Sequence, residues 1–257
     1  MKLGIMNNPS NSLVDEIVSI GQHGYDFVDL TIEGPKAFEV KIDEIKSILN
    51  EFNLSVVGHT DPCLPYAYPI QSIRKACLEE LERCAIIFSK LGATIMNIHP
   101  CYFSPPAMRQ SLFELNIEAL KPIVEMGANH GIGVVFENYR TPFNSLVSFE
   151  RLFAEIPNLG LHLDFGHVNL GYDDPRDYCS KFGDRIKHVH FSDNRSTGDH
   201  HMPLGVGNVN WKNVINGLKS IQYDDTITLE VFCDDLSMRF KYLDLSRQHV
   251  LDLLKED

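Results

Sequence analysis

A chain of 257 residues, 44% of them hydrophobic and 23% charged, has enough apolar side chains for a large core, which excludes an intrinsically disordered protein. Its formal net charge of −12 works against general attraction to nucleic-acid phosphate or anionic membranes, because that attraction rests on clustered Lys and Arg. No stretch approaches the roughly 18 apolar residues of a membrane span, and MKLGIMNNPS is too short an apolar run for a signal peptide, so the expected location is cytoplasmic.

Strand and helix signals alternate from end to end. KLGIM (2–6) precedes a helix near 12–23, FVDLTIE (27–33) one near 41–52, LSVVGHT (54–60) one near 70–91, and TIMNIHP (94–100) one near 107–130. GVVFEN (133–138) is followed by a helix near 145–156, LGLHLDFGH (159–167) by 174–184, IKHVHFSD (186–193) by 211–220, and TITLEVF (226–232) by 237–255. Ser12 and Ser72 are expected to cap helix N-termini, and Gly24, Gly92 and Gly131 follow helix ends where a left-handed residue is needed. Strict alternation implies parallel strands joined by helical crossovers, and eight of them close most simply into one (β/α)8 TIM barrel. No linker or charge block divides the chain, so a single domain over 1–257 is expected. The six cysteines, Cys63, Cys77, Cys84, Cys101, Cys179 and Cys233, form no CxxC pair and read as reduced packing thiols, with Cys101 near the expected site.

The residues that carry chemistry are defined by position. His59, His99, Glu137, Asp164, His190 and Glu230 fall at or near the C-terminal ends of six different predicted strands, and in a closed barrel those ends converge. Alternate residues face opposite ways, so Ile98, Phe136 and Leu163 point outward while His99, Glu137 and Asp164 point to the axis. A lone inward histidine is ordinarily a hydrogen-bonded core residue, but six such groups without a Lys or Arg partner in the strands need a divalent cation to offset repulsion and lost hydration. Mixed His/Asp/Glu ligation suits Zn2+, Mn2+, Fe2+ or Co2+. His167 and the loop residues Asp199, His200 and His201 join the set; Asp199 and His201 read as ligands of a second metal, as substrate hydrogen-bonders or as an ordinary solvated turn.

At these residues LDFGH, HVHFSDN and HMPLGVGNVNW resemble the xylose isomerase-like barrel superfamily, which holds sugar and sugar-phosphate isomerases, ketose 3-epimerases, inosose dehydratases and endonuclease IV. The resemblance spans LGIM to LEVF and implies a metal held by Glu137, Asp164, His190 and Glu230, with Glu137 and Glu230 as the catalytic acid and base of an enediolate mechanism. One divalent ion, Mn2+, Zn2+, Co2+ or Mg2+, is then expected, and a sugar or sugar phosphate as substrate. Glu33, His188 and Arg195 are candidate substrate contacts, with Arg140 and Arg195 placed to meet a phosphate or carboxylate. The resemblance to endonuclease IV implies a three-metal alternative, incision at abasic DNA, with His59, His99, His167, Asp199 and His201 as the additional ligands. FGH after Asp164 departs from that family's TCH-like wording, and no Arg/Lys-rich DNA-contacting loops are evident, so nucleic acid is a partner only under this alternative. A degenerate barrel that merely binds a metabolite or protein is a third reading, and retention of both Glu137 and Glu230 argues against it. A homodimer is the expected assembly.

Overall fold

In a computed structural model, which describes residues 1–256, eight strands close into an all-parallel barrel in sequence order, β1 to β8. The strands are β1 (Lys2–Met6), β2 (Phe27–Ile32), β3 (Ser55–Thr60), β4 (Ile95–Ile98), β5 (Gly133–Glu137), β6 (Gly160–Asp164), β7 (Ile186–Phe191) and β8 (Thr226–Leu229). Around them run α1 (Leu13–Gln22), α2 (Ile42–Glu51), α3 (Gln71–Lys90), α4 (Leu112–Asn129), α5 (Leu146–Glu155), the short α6 (Phe165–Val168), α7 (Pro175–Phe182), α8 (Trp211–Ser220) and α9 (Arg239–Lys255). No described helix is long and apolar enough to cross a membrane.

The helix-end chemistry holds with one exception. Ser12 caps α1 by accepting from Asp15 N, and Gly24, Gly92 and Gly131 adopt φ of 68°, 86° and 72°. Ser72, expected as a cap, lies inside α3 instead, because the helix starts at Gln71 behind Ile70 with no side-chain cap. Tight 3-10 turns also precede α4 (Pro106–Ser111) and α9 (Leu236–Met238), where continuous helices were expected.

Strand alternation sorts the side chains into two layers. Leu30, Phe136, Leu163, Phe191 and Leu229 point outward into one apolar cluster with the helices. The inner face is polar: Asp29, Asn97, Glu137, His162, Asp164, His188, His190 and Thr228 are all buried. Phe27, the first residue of β2, is fully buried on the same face as Asp29. Its ring lies edge-on to His188, with centroids 6.0 Å apart, and a Cβ on Gly4 would meet it at 2.6 Å, so the first strand needs glycine there.

Candidate active site

The site grows upward from Asp29, which is fully buried in the middle of β2. Burial opposes its charge, but the charge of His59 and hydrogen bonds from His188, His190 and His59 outweigh this and hold its carboxyl well below the usual range. Asp29 Oδ2 lies 2.7 Å from His190 Nε2. With Nε2–H donating there, His190 Nδ1 carries a lone pair and faces Glu230 Oε2 at 3.3 Å and Asp164 Oδ2 at 4.0 Å. All three atoms are buried without a hydrogen-bond partner. Acceptors gathered round a common point with no donor among them fit a divalent cation, and one ligand atom each of Glu137, Asp164 and His190 lies within 4.8 Å of the others. Burial, with Glu230 and Glu137 adding to it against the pull of His167, pushes Asp164 up to about 7.

Two further clusters flank this one. On one side His59 Nε2 and His99 Nε2 are 3.3 Å apart, and His99 Nε2 lies 3.0 Å from Glu137 Oε2. On the other, His167 Nδ1 donates to the Asn138 carbonyl oxygen at 2.8 Å, which turns His167 Nε2 toward Asp199 Oδ2 at 3.0 Å. His201 completes the second side, with Nε2 3.3 Å from Asp199 Oδ2 and Nδ1 3.3 Å from Glu230 Oε2. Burial disfavours a charged His201, yet Glu230 and Asp199 raise it to about 11. Glu137, Glu230, His59, His99, His167, Asp199 and His201 all border a cavity of about 410 Å³ at the C-terminal mouth of the barrel. Glu33 borders it too, just beyond β2, and accepts from the Thr31 hydroxyl at 3.2 Å.

The long seventh loop is held by Asp193. Its Oδ2 accepts from Gly205 N–H at 2.8 Å and from the Trp211 indole at 3.0 Å, and its Oδ1 accepts from Asn194 and Val209. Its backbone pairs antiparallel with Met202. This clamp holds His201 at φ +46°, a left-handed conformation unusual for a side chain of that size, with its carbonyl oxygen accepting from Phe232 N–H at 3.0 Å.

Among the candidates named from sequence, three fall outside this gathering, and one of them, His200, is exposed on the seventh loop and does not border the cavity. His188 is fully buried below His190, against Asp29, Thr226 and Thr228, and does not border the cavity. Arg195 stands exposed on the seventh loop away from the cavity wall, because Asn194 beside it is tied inward to Gly166 O. His167, expected in a strand, lies in the short helical turn α6 instead, since the Asp164 side chain accepts from His167 N–H at 2.6 Å and ends β6. Sequence reasoning passed over Asp29, His162, Asn97, Asn138 and Asp193. The first three share the inward parity of the candidates, so the signal existed; Asn97 donates to Glu137 Oε2 at 2.7 Å, and His162 Nδ1 lies 3.3 Å from it. Nothing local betrays Asn138, which bridges β5 to the backbone of Asp164.

Known proteins share this arrangement of chain. An L-ribulose 3-epimerase from Methylomonas sp. is 26% identical over 86% of this chain and 78% of its own. An inosose dehydratase from Salmonella agona is 28% identical over 60% of this chain and 58% of its own. Among solved structures, a D-tagatose 3-epimerase-like protein superposes with a TM-score of 0.87 at 25% identity, covering 99% of this chain and 98% of that one. Residues 18–256 match the family model for xylose isomerase-like TIM barrels, in keeping with the closed parallel barrel and its crown of imidazoles and carboxylates; the chain belongs to that family.

Proposed function

We propose that the protein is a divalent-metal-dependent sugar isomerase or epimerase that moves a proton next to a ketose carbonyl through an enediolate. One observation carries this reading: Asp164 Oδ2, His190 Nδ1 and Glu230 Oε2 are buried acceptors without donors, at the foot of a cavity that Glu137 and Glu230 border. Glu137, Asp164, His190 and Glu230 would hold the ion, whose Lewis acidity polarises the substrate carbonyl. Glu137 and Glu230, on β5 and just past β8, stand on different sides of the cavity, so one removes the α-proton and the other returns it. Burial raises Glu33 despite nearby His59, which suits a hydrogen bond to a sugar hydroxyl, while His167, which borders the same cavity, would orient a hydroxyl or the carbonyl. The epimerase relatives support the same chemistry.

The test is proton exchange in heavy water, followed by NMR, with protein loaded with Mn2+ or Zn2+ and a panel of ketoses. Deuterium is expected at the carbon beside the carbonyl, abolished by chelator and restored by metal. Fully loaded protein that exchanges no sugar proton overturns the proposal.

A specific observation favours a second reading. His59 and His99 with Glu137 form a second group whose ligand atoms lie within 4.8 Å of one another, and His167 and His201 meet Asp199 at 3.0 Å and 3.3 Å, which are the additional ligands that the resemblance to endonuclease IV implies. Three metals per chain by mass spectrometry, together with chelator-sensitive incision of abasic duplex DNA, would replace the sugar enzyme with the nuclease.

A further inference from the structure

One side chain on the cavity wall has no part in the metal chemistry. Among the described residues that border the cavity, Arg140 is the only Lys or Arg, facing carboxylates that include Glu33, Glu137, Asp199 and Glu230. Elsewhere Arg83, Arg151, Arg176, Arg239 and Arg247 pair with carboxylates. Arg140, just beyond β5, forms no such pair among the described residues. Its guanidinium instead lies over the rings of Tyr139 and Tyr102, 4.4 Å and 5.4 Å from their centroids, and donates to the Tyr139 hydroxyl at 2.6 Å. Tyr102 also fixes its backbone, accepting from Arg140 N–H at 3.1 Å and donating to the Arg140 carbonyl oxygen. Tyr139 packs edge-on against His167 at 4.7 Å, and His167 Nδ1 lies 3.2 Å from Glu137 Oε1, so the guanidinium sits two side chains from a proton-transferring carboxylate.

We propose that Arg140 receives an anionic group, a phosphate or a carboxylate, at the far end of the sugar, making sugar phosphates or sugar acids the substrate class. This rests on the isomerase or epimerase reading above. A cavity rich in carboxylates repels an anion unless a planar donor fork meets it, and a guanidinium binds either oxyanion through paired hydrogen bonds. Two tyrosine faces hold the fork in place beforehand, so little freedom is lost on binding. Glu33 lies on the β2 side of the same cavity, where a hydroxyl-bearing end would rest.

The metal-loaded protein is tested by proton exchange with three sets of ketoses: neutral, terminally phosphorylated and terminally carboxylated. Kcat/KM is expected to be about ten- to hundredfold higher for one of the anionic sets, the worth of a charge-assisted hydrogen bond, and the favoured set identifies the anion. Arg140→Gln should erase that preference through KM, and Arg140→Lys should keep part of it. Calorimetry with a polyol phosphate, which lacks a carbonyl, provides a readout free of turnover: binding should weaken in Arg140→Gln by the same factor. Equal use of neutral and anionic sugars, or an unchanged preference in Arg140→Gln, overturns this inference and leaves the isomerase reading standing. Absence of exchange in all three sets removes both.

Discussion

The two faces of the barrel wall come from the same strands and follow opposite rules. Outward, Leu30, Phe136, Leu163 and Leu229 lie in a continuous apolar layer with the helices, where each contact is compatible with its neighbours. Inward, one residue away in each case, Thr31, Glu137, Asp164 and Glu230 are buried, and one carboxylate oxygen each of Asp164 and Glu230 lacks a donor. Apolar burial on the outer face stabilises the fold enough to hold a set of groups that would repel one another if left alone. Stability and chemistry are thereby separated by a single step along the backbone.

Substitutions can break this separation or sharpen it. On the inner face, Glu137→Gln or Glu230→Gln is expected to lower the proton-exchange rate by about two to four orders of magnitude, the usual worth of a general acid or base; deuterium uptake measured by NMR checks it. On the outer face, Phe136→Ala, which empties a fully buried site beside Phe143 and Phe149, should cost about 3–5 kcal/mol in urea unfolding. Its folded fraction should keep the parent's metal content, and loss of bound metal would show that the two faces are not separable. Chelation is expected to lower stability by about 2.7 kcal/mol when the free metal stands at a hundredfold excess over its dissociation constant. Asp164→Asn should abolish that metal-dependent increment; a melting curve of the variant that still responds to metal would place the ion elsewhere.

The smallest effect concerns thiols. All six cysteines are free, and burial pushes Cys84 and Cys179 up to about 12, so they hold almost no thiolate at about pH 8. Iodoacetamide should modify exposed Cys63 first in the native protein and reach Cys84 and Cys179 only after unfolding, as mass spectrometry would show.

Much of this was legible in the sequence because period and parity are local. All eight strands begin within a residue of where the alternation put them, and the inward placement of Glu137, Asp164 and His190 follows from counting by twos. Strand ends were less legible. β6 stops at Asp164 because that carboxylate caps the next turn, a competition between side chain and ladder that periodicity does not report. The height of a residue inside the barrel was not legible either. His188 and His190 share one face, yet the stagger of neighbouring strands puts the first against Thr226 and the second beside Glu230. The direction of Arg195 was illegible for a different reason, since it depends on a loop folded around Asp193.

The phenyl ring of Phe27 fills the space beside Gly4 and lies edge-on to His188, so the polar interior meets a packed ring at the start of β2 and a cavity at the C-terminal ends of the strands. Under the proposed function, reactant and product would both use the cavity mouth that Arg140 borders and so compete for the same passage. An inhibitor that corks this rim would then block the proposed chemistry without ever touching Asp164 or His190 below.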